Sequence, residues 1–253
     1  MSRRYLFRSK SSPFKWDGSY LGTLKTDQIE EIETIKIGRF LKVCTITIKN
    51  ETVTCLVKSI MSLLPAIFDE LKPIFSLQKI GTHTFRCNGK LMIAYKPFFF
   101  RDKVYTETTL DTTPDHLVDK IEDQVRLNLA FREIFGITDT YERSLILRYK
   151  NPGDSSEVPT VISYLEPGSV AGLTDGFTSV LPQTIVDRWF SNDDPAKTLE
   201  KAVADLICLN RESPESSLAY YRPLVEEVIV RIDAGLITYL DLFFDRLGLY
   251  LPY

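Results

Sequence analysis

The sequence predicts an α+β protein in which antiparallel β-hairpins carry one long packed helix and are followed by a small helical bundle. Three observations predict it. Short apolar stretches of two-residue periodicity recur within the first 110 residues, helical spacing with start and stop signals dominates beyond residue 181, and one long apolar repeat lies between them. On this reading residues 1–165 form a basic β-rich subdomain containing a helix over 114–135. Residues 166–180 form a connector marked by Gly168, Gly172 and Gly176, and residues 181–253 form an acidic helical subdomain.

The first hairpin joins 40–48 to 53–60 through a turn at Asn50-Glu51. That turn puts positions 44, 46, 48, 53, 55 and 57 on one face and the threonines 45, 47, 52 and 54 on the other. A second hairpin pairs 82–87 with 90–96 across Asn88-Gly89, because Asn-Gly supplies the positive φ angles of a type I′ turn. Between the hairpins, Leu63, Ile67 and Leu71 have helical spacing, with Pro65 tolerated in the first turn and Pro73 ending the run. The long helix is bounded by Thr113 as N-cap, Pro114 at the first helical position and Gly136 as stop, and Leu117, Ile121, Val125 and Leu129 recur every four residues along it. A third hairpin joins 144–149 to 160–165. In the C-terminal part, Asp194-Pro195 and Ser213-Pro214 open helices, Gly235 and Gly248 close the last two, and Pro223 either separates two short helices or kinks one.

Charge is distributed unevenly. Residues 1–110 hold 18 Lys+Arg and 10 Asp+Glu, a net of +8; residues 111–253 hold 13 and 24, a net of −11; the two sum to the chain's −3. Such asymmetry predicts an anionic partner for the basic half or docking of the two halves on each other. There is no apolar stretch of membrane-spanning length and no signal-peptide pattern, so an intracellular, soluble chain without membrane attachment is expected. The four cysteines show no paired spacing and the two histidines are isolated in sequence, which predicts free thiols, no metal site and no cofactor.

Residues 90–165 carry the one ordered set with a catalytic parallel. A strand ending Ile93-Ala94-Tyr95-Lys96, a helix carrying Glu122 and Glu133, and two further strands together are similar to the small lobe of the protein-kinase family. There a strand lysine of a VAIK-type motif pairs with a helix glutamate to hold nucleotide phosphates. The resemblance implies Lys96 as the phosphate lysine and Glu122 or Glu133 as its partner. Against it, the chain lacks G-x-G-x-x-G before the strand, H-R-D after it, and Asp-Phe-Gly.

Two surfaces suggest binding instead. Arg3, Arg4, Arg8, Lys10 and Lys15 precede the first acidic residue and alternate with Tyr5, Phe7, Phe14 and Trp16, a combination suited to anions or nucleic acid and equally to a terminal strand. In the helical part, the adjacent aromatics Trp189-Phe190, Tyr220-Tyr221 and Phe243-Phe244 point about 100° apart on a helix, so an interface centred on them and on Tyr250 and Tyr253 is a candidate. The expectation is therefore a non-catalytic binding or assembly protein that acts through a protein partner or self-association. A divergent kinase-like phosphotransferase is the first alternative, and a nucleic-acid-associated factor using the basic half is the second.

Overall fold

A computed structural model describes residues 23–24, 29–37, 42–48, 51–87, 90–95, 107–109, 115–138, 145–149, 157–163, 179–190, 194–207 and 214–250. The fold is α+β. Strands β1 (Thr23–Leu24), β2 (Ile29–Ile37), β3 (Lys42–Ile48), β4 (Glu51–Ser59), β5 (Thr82–Cys87) and β6 (Lys90–Tyr95) form a six-stranded sheet of order β1-β5-β6-β4-β3-β2. Every neighbouring pair is antiparallel except β1 with β5. Strands β7 (Glu107–Thr109), β8 (Leu145–Arg148) and β9 (Thr160–Ser163) make a second, three-stranded antiparallel sheet.

Two of the three hairpins carry a lesson about register. In the first, Ile48 pairs with Glu51, whereas a turn at Asn50-Glu51 would pair Lys49 with Thr52; residues 49–50 lie outside the described residues. The expected sharing of faces survives, because this changes the pairing sum by two, and a two-residue slip preserves side-chain parity where a one-residue slip would invert it. In the second, Cys87 pairs with Lys90, leaving the expected two-residue loop. Residues 88–89 themselves lie outside the described residues, as do Thr113, Pro114 and the 166–178 part of the connector.

The described residues also form six α-helices: α1 (Leu64–Leu71), α2 (Asp115–Ile134), α3 (Gln183–Trp189), α4 (Pro195–Ile207), α5 (Pro214–Asp233) and α6 (Thr238–Leu249). Helix α1 gives way to a 3-10 turn, Lys72–Phe75, which contains Pro73 and is closed by Ser76 at φ 59°. Helix α2 ends as expected at Gly136, whose φ of 62° lets Ile137 N–H reach Arg132 O at 2.9 Å and Gly136 N–H reach Glu133 O at 3.3 Å. Asp194 caps α4 by accepting from Lys197 N–H at 3.2 Å. Of the two readings of Pro223, separation into two short helices is excluded, because α5 runs through it; its missing N–H removes the bond to the carbonyl of Ala219, an exposed residue. One expectation is corrected. Gly248 does not stop α6, which continues to Leu249; Gly235 does lie in the break after α5, where Asp233 accepts its N–H at 3.0 Å.

The basic and acidic halves share one core. Phe68 and Phe75 meet Phe131, Phe135, Tyr221 and Phe243 at ring-centroid separations of 4.8–5.9 Å. Across this junction the ion pair Glu70–Arg231 is long, at 3.7 Å. Among the described residues the junction is apolar, and burial of such area is worth about 25 cal/mol per Å². No helix among the described residues is long and apolar enough to cross a membrane.

Candidate functional site

Helix α2 delivers Glu133 to the centre of the C-terminal part, where the side chain has no solvent exposure. Its carboxylate accepts from Ser179 Oγ at 2.8 Å, from the N–H groups of Val180 at 3.0 Å and Leu181 at 3.3 Å, from Arg246 Nη2 at 3.1 Å and from the Tyr250 hydroxyl. Its carbonyl, in the last turn of α2, receives Arg246 Nε at 3.1 Å and Nη2 at 2.9 Å. A cation here complements the negative end of the helix dipole and satisfies a terminal carbonyl. Burial first, and the neighbouring Glu133 carboxylate second, push the Tyr250 phenol well above its ordinary value of 10.0. Tyr250 therefore stays a neutral donor. With its oxygens committed to the protein's own donors, Glu133 holds α2, the 179–181 loop and α6 together.

A second buried network centres on α1. Asp69 accepts Ile80 N–H at 2.9 Å, Gly81 N–H at 2.8 Å and Lys72 Nζ at 3.0 Å, while Lys72 also donates to Ser163 O at 2.6 Å. Arg132 Nη2 donates to Ser163 Oγ at 2.8 Å. Desolvation lowers the Lys72 pKa; Asp69 opposes that shift and Arg132 adds to it. Nothing in the sequence flagged this set, because Asp69 and Lys72 read as ordinary helix charges until the fold brings β9 across them.

The candidates named from sequence fall in three groups. Lys96, Tyr253 and the basic cluster Arg3, Arg4, Arg8, Lys10 and Lys15 lie outside the described residues. Of the two helix carboxylates in the kinase-like reading, Glu133 is enclosed as described. Glu122 is half-buried and paired with Arg126 at 2.6 Å, and Arg126 in turn donates to Trp189 O at 2.6 Å.

The aromatic interface is corrected at six positions. Trp189, Phe190, Tyr221, Phe243, Phe244 and Tyr250 are all buried in the chain's own core. Phe190 follows the end of α3, so it escapes the 100° rule. Phe243 and Phe244 both bury because α6 has neighbours on two sides: Phe243 meets Phe68 and Phe135, and Phe244 lies under the Arg222 guanidinium. Only Tyr220 among the described candidates is exposed, at 43%.

Tyr220 belongs to a coherent surface. Ser216, Ala219, Tyr220, Pro223, Glu226, Glu227 and Val230 are all exposed. At about 100° per residue they span one sector of α5. The flanking arginines are engaged, Arg222 with Asp241 and Arg231 with Glu70, whereas Glu226 and Glu227 have no ion pair among the described residues. Among those same residues no group of three or more His, Cys, Asp or Glu side chains is arranged to hold a metal.

No family model and no curated protein sequence matches the chain. Among solved structures, the chain is similar to the Helicobacter pylori proinflammatory kinase CtkA, with a TM-score of 0.48 at 11% identity, covering 87% of this chain and 92% of that one. It is also similar to Cex1p, with a TM-score of 0.23 at 12% identity, covering 87% of this chain and 40% of the other. Both scores are below 0.5, and neither likeness assigns a function to this chain.

Proposed function

We propose that the chain is a non-catalytic binding or assembly protein whose contact surface is the outer face of α5. The observation that supports this most is the exposed line Ala219, Tyr220, Pro223 and Val230 bordered by Glu226 and Glu227: an apolar centre with an aromatic anchor and a charged rim is the composition of a protein contact. Two carboxylates without ion pairs among the described residues favour a basic partner. A second copy supplies one, since residues 1–110 carry a net charge of +8. Sedimentation velocity tests the reading. Concentration-dependent association is expected, weakened by salt and abolished by Tyr220→Asp with Val230→Glu. A chain that remains monomeric removes self-association.

A second reading, the kinase-like nucleotide binder, rests on the chain order β6, α2, β8, β9, with β6 in a different sheet from β8 and β9, and on Glu122 standing half-buried on α2. It predicts that magnesium-ATP raises the thermal midpoint by about 5–10 °C at a hundredfold excess over Kd. An unmoved midpoint eliminates it.

A further inference from the structure

The β3–β4 register sets Cys44 directly opposite Cys55. Directly opposed positions of an antiparallel pair have Cα atoms about 4.5 or 5.5 Å apart, according to whether the pair is non-hydrogen-bonded or hydrogen-bonded. Both separations fall inside the roughly 4.4–6.8 Å window that a disulfide requires. The two cysteines are eleven residues apart in sequence, so nothing in their spacing announces the pair; the hairpin alone creates it. Cys55 also precedes Leu56, the residue at which β4 begins to pair with β6. A covalent link there joins β3, and with it the outer edge of the sheet, to the strand that anchors that edge to the rest.

We propose that Cys44 and Cys55 form a reversible redox staple: a dithiol under reducing conditions, and an intramolecular disulfide after exchange with a small-molecule disulfide such as oxidised glutathione. In the balanced step one cysteine thiolate attacks the glutathione disulfide, releasing one glutathione thiolate and forming a mixed disulfide. The second cysteine thiolate attacks the protein sulfur of that mixed disulfide and expels the second glutathione. The two cysteines lose two electrons, which reduce one glutathione disulfide to two glutathiones, and the two cysteine protons pass to the glutathione thiolates. The proposal stands apart from the contact surface on α5 and does not depend on it.

The full-length folded chain is incubated with oxidised glutathione, blocked with an alkylating agent and digested with trypsin without reduction. Lys49 separates the two cysteines, so the staple appears as peptides 43–49 and 50–58 held together by a bond that dithiothreitol removes. Thiol titration under denaturation is expected to fall from four to two, and Cys44→Ser or Cys55→Ser is expected to abolish the linked species, while Cys87→Ser leaves it intact. Four remaining thiols, glutathione adducts without the linked peptides, or linkage through Cys87 or Cys208 in the folded protein would each overturn the assignment.

Discussion

Arg246 on α6 grips Glu133 on α2 twice, at the carbonyl through Nε and Nη2 and at the carboxylate through Nη2, at 2.9–3.1 Å. Both side chains are essentially removed from water. A buried pair of this kind adds little over a well-packed apolar pair, but removing one member strands the other as an uncompensated charge. Glu133→Ala and Arg246→Ala are therefore each expected to destabilise the chain by about 3–5 kcal/mol. The double variant should cost less than the sum of the two, and urea unfolding of all four proteins in the cycle measures the coupling. Additive losses would mean that the pair does not act as a unit.

The sequence offers Tyr250 and Tyr253 as part of a contact surface, which makes deletion of 249–253 a pointed test. Tyr250 is buried and its hydroxyl donates to Glu133. Losing its ring and its hydrogen bond is expected to cost about 3 kcal/mol, lowering the thermal midpoint by about 6–12 °C. Tyr250→Phe isolates the hydroxyl and should account for about 1–3 kcal/mol of that loss. An unchanged midpoint after deletion would return the tail to the surface.

Asp69 ties the 3-10 turn and the start of β5 to α1 through two backbone N–H groups and Lys72. Asp69→Ala leaves a buried ammonium and two donors without their acceptor, so a loss of about 3–5 kcal/mol is expected. Calorimetry checks it. Asp69→Asn, which keeps an acceptor but not the charge, should fall between wild type and Asp69→Ala.

Stability at alkaline pH carries two opposed contributions. The folded Lys72 pKa is lowered below 10.5, so between the two values the unfolded chain holds more protons and stability rises with pH through that window. The folded Tyr250 pKa is raised above 10.0; its contribution is complete below that value and is lost as pH climbs beyond it, where the unfolded phenol ionises first. Tyr250→Phe is thus expected to flatten the fall in stability above about pH 10, and Lys72→Met to remove the rise just below 10.5. Denaturant titrations from neutral pH upward follow both slopes, and identical slopes in wild type and variants would contradict the pair.

Local order was legible in the sequence wherever a residue type restricts its own backbone. Gly136 marks the end of α2, Asp194 caps α4, and Asn88-Gly89 separates β5 from β6 by two residues, because φ preference and side-chain capping act within one turn of chain. Legibility failed where a local preference was outvoted. Gly248 did not end α6, which runs on to Leu249 and brings Tyr250 against Glu133.

The sequence by itself determined the α+β class, the hairpin pairing and the apolar stripe of α2, all of which follow from periodicities of two and 3.6 residues. The tertiary structure alone decided which aromatics lie inside and that Glu133 closes a buried network. The Glu133 network depends on groups distant in sequence: 113 residues separate Glu133 from Arg246. No local pattern encodes such a distance, because the free energy that fixes the contact comes from burial shared among elements and not from either residue's own stretch of chain.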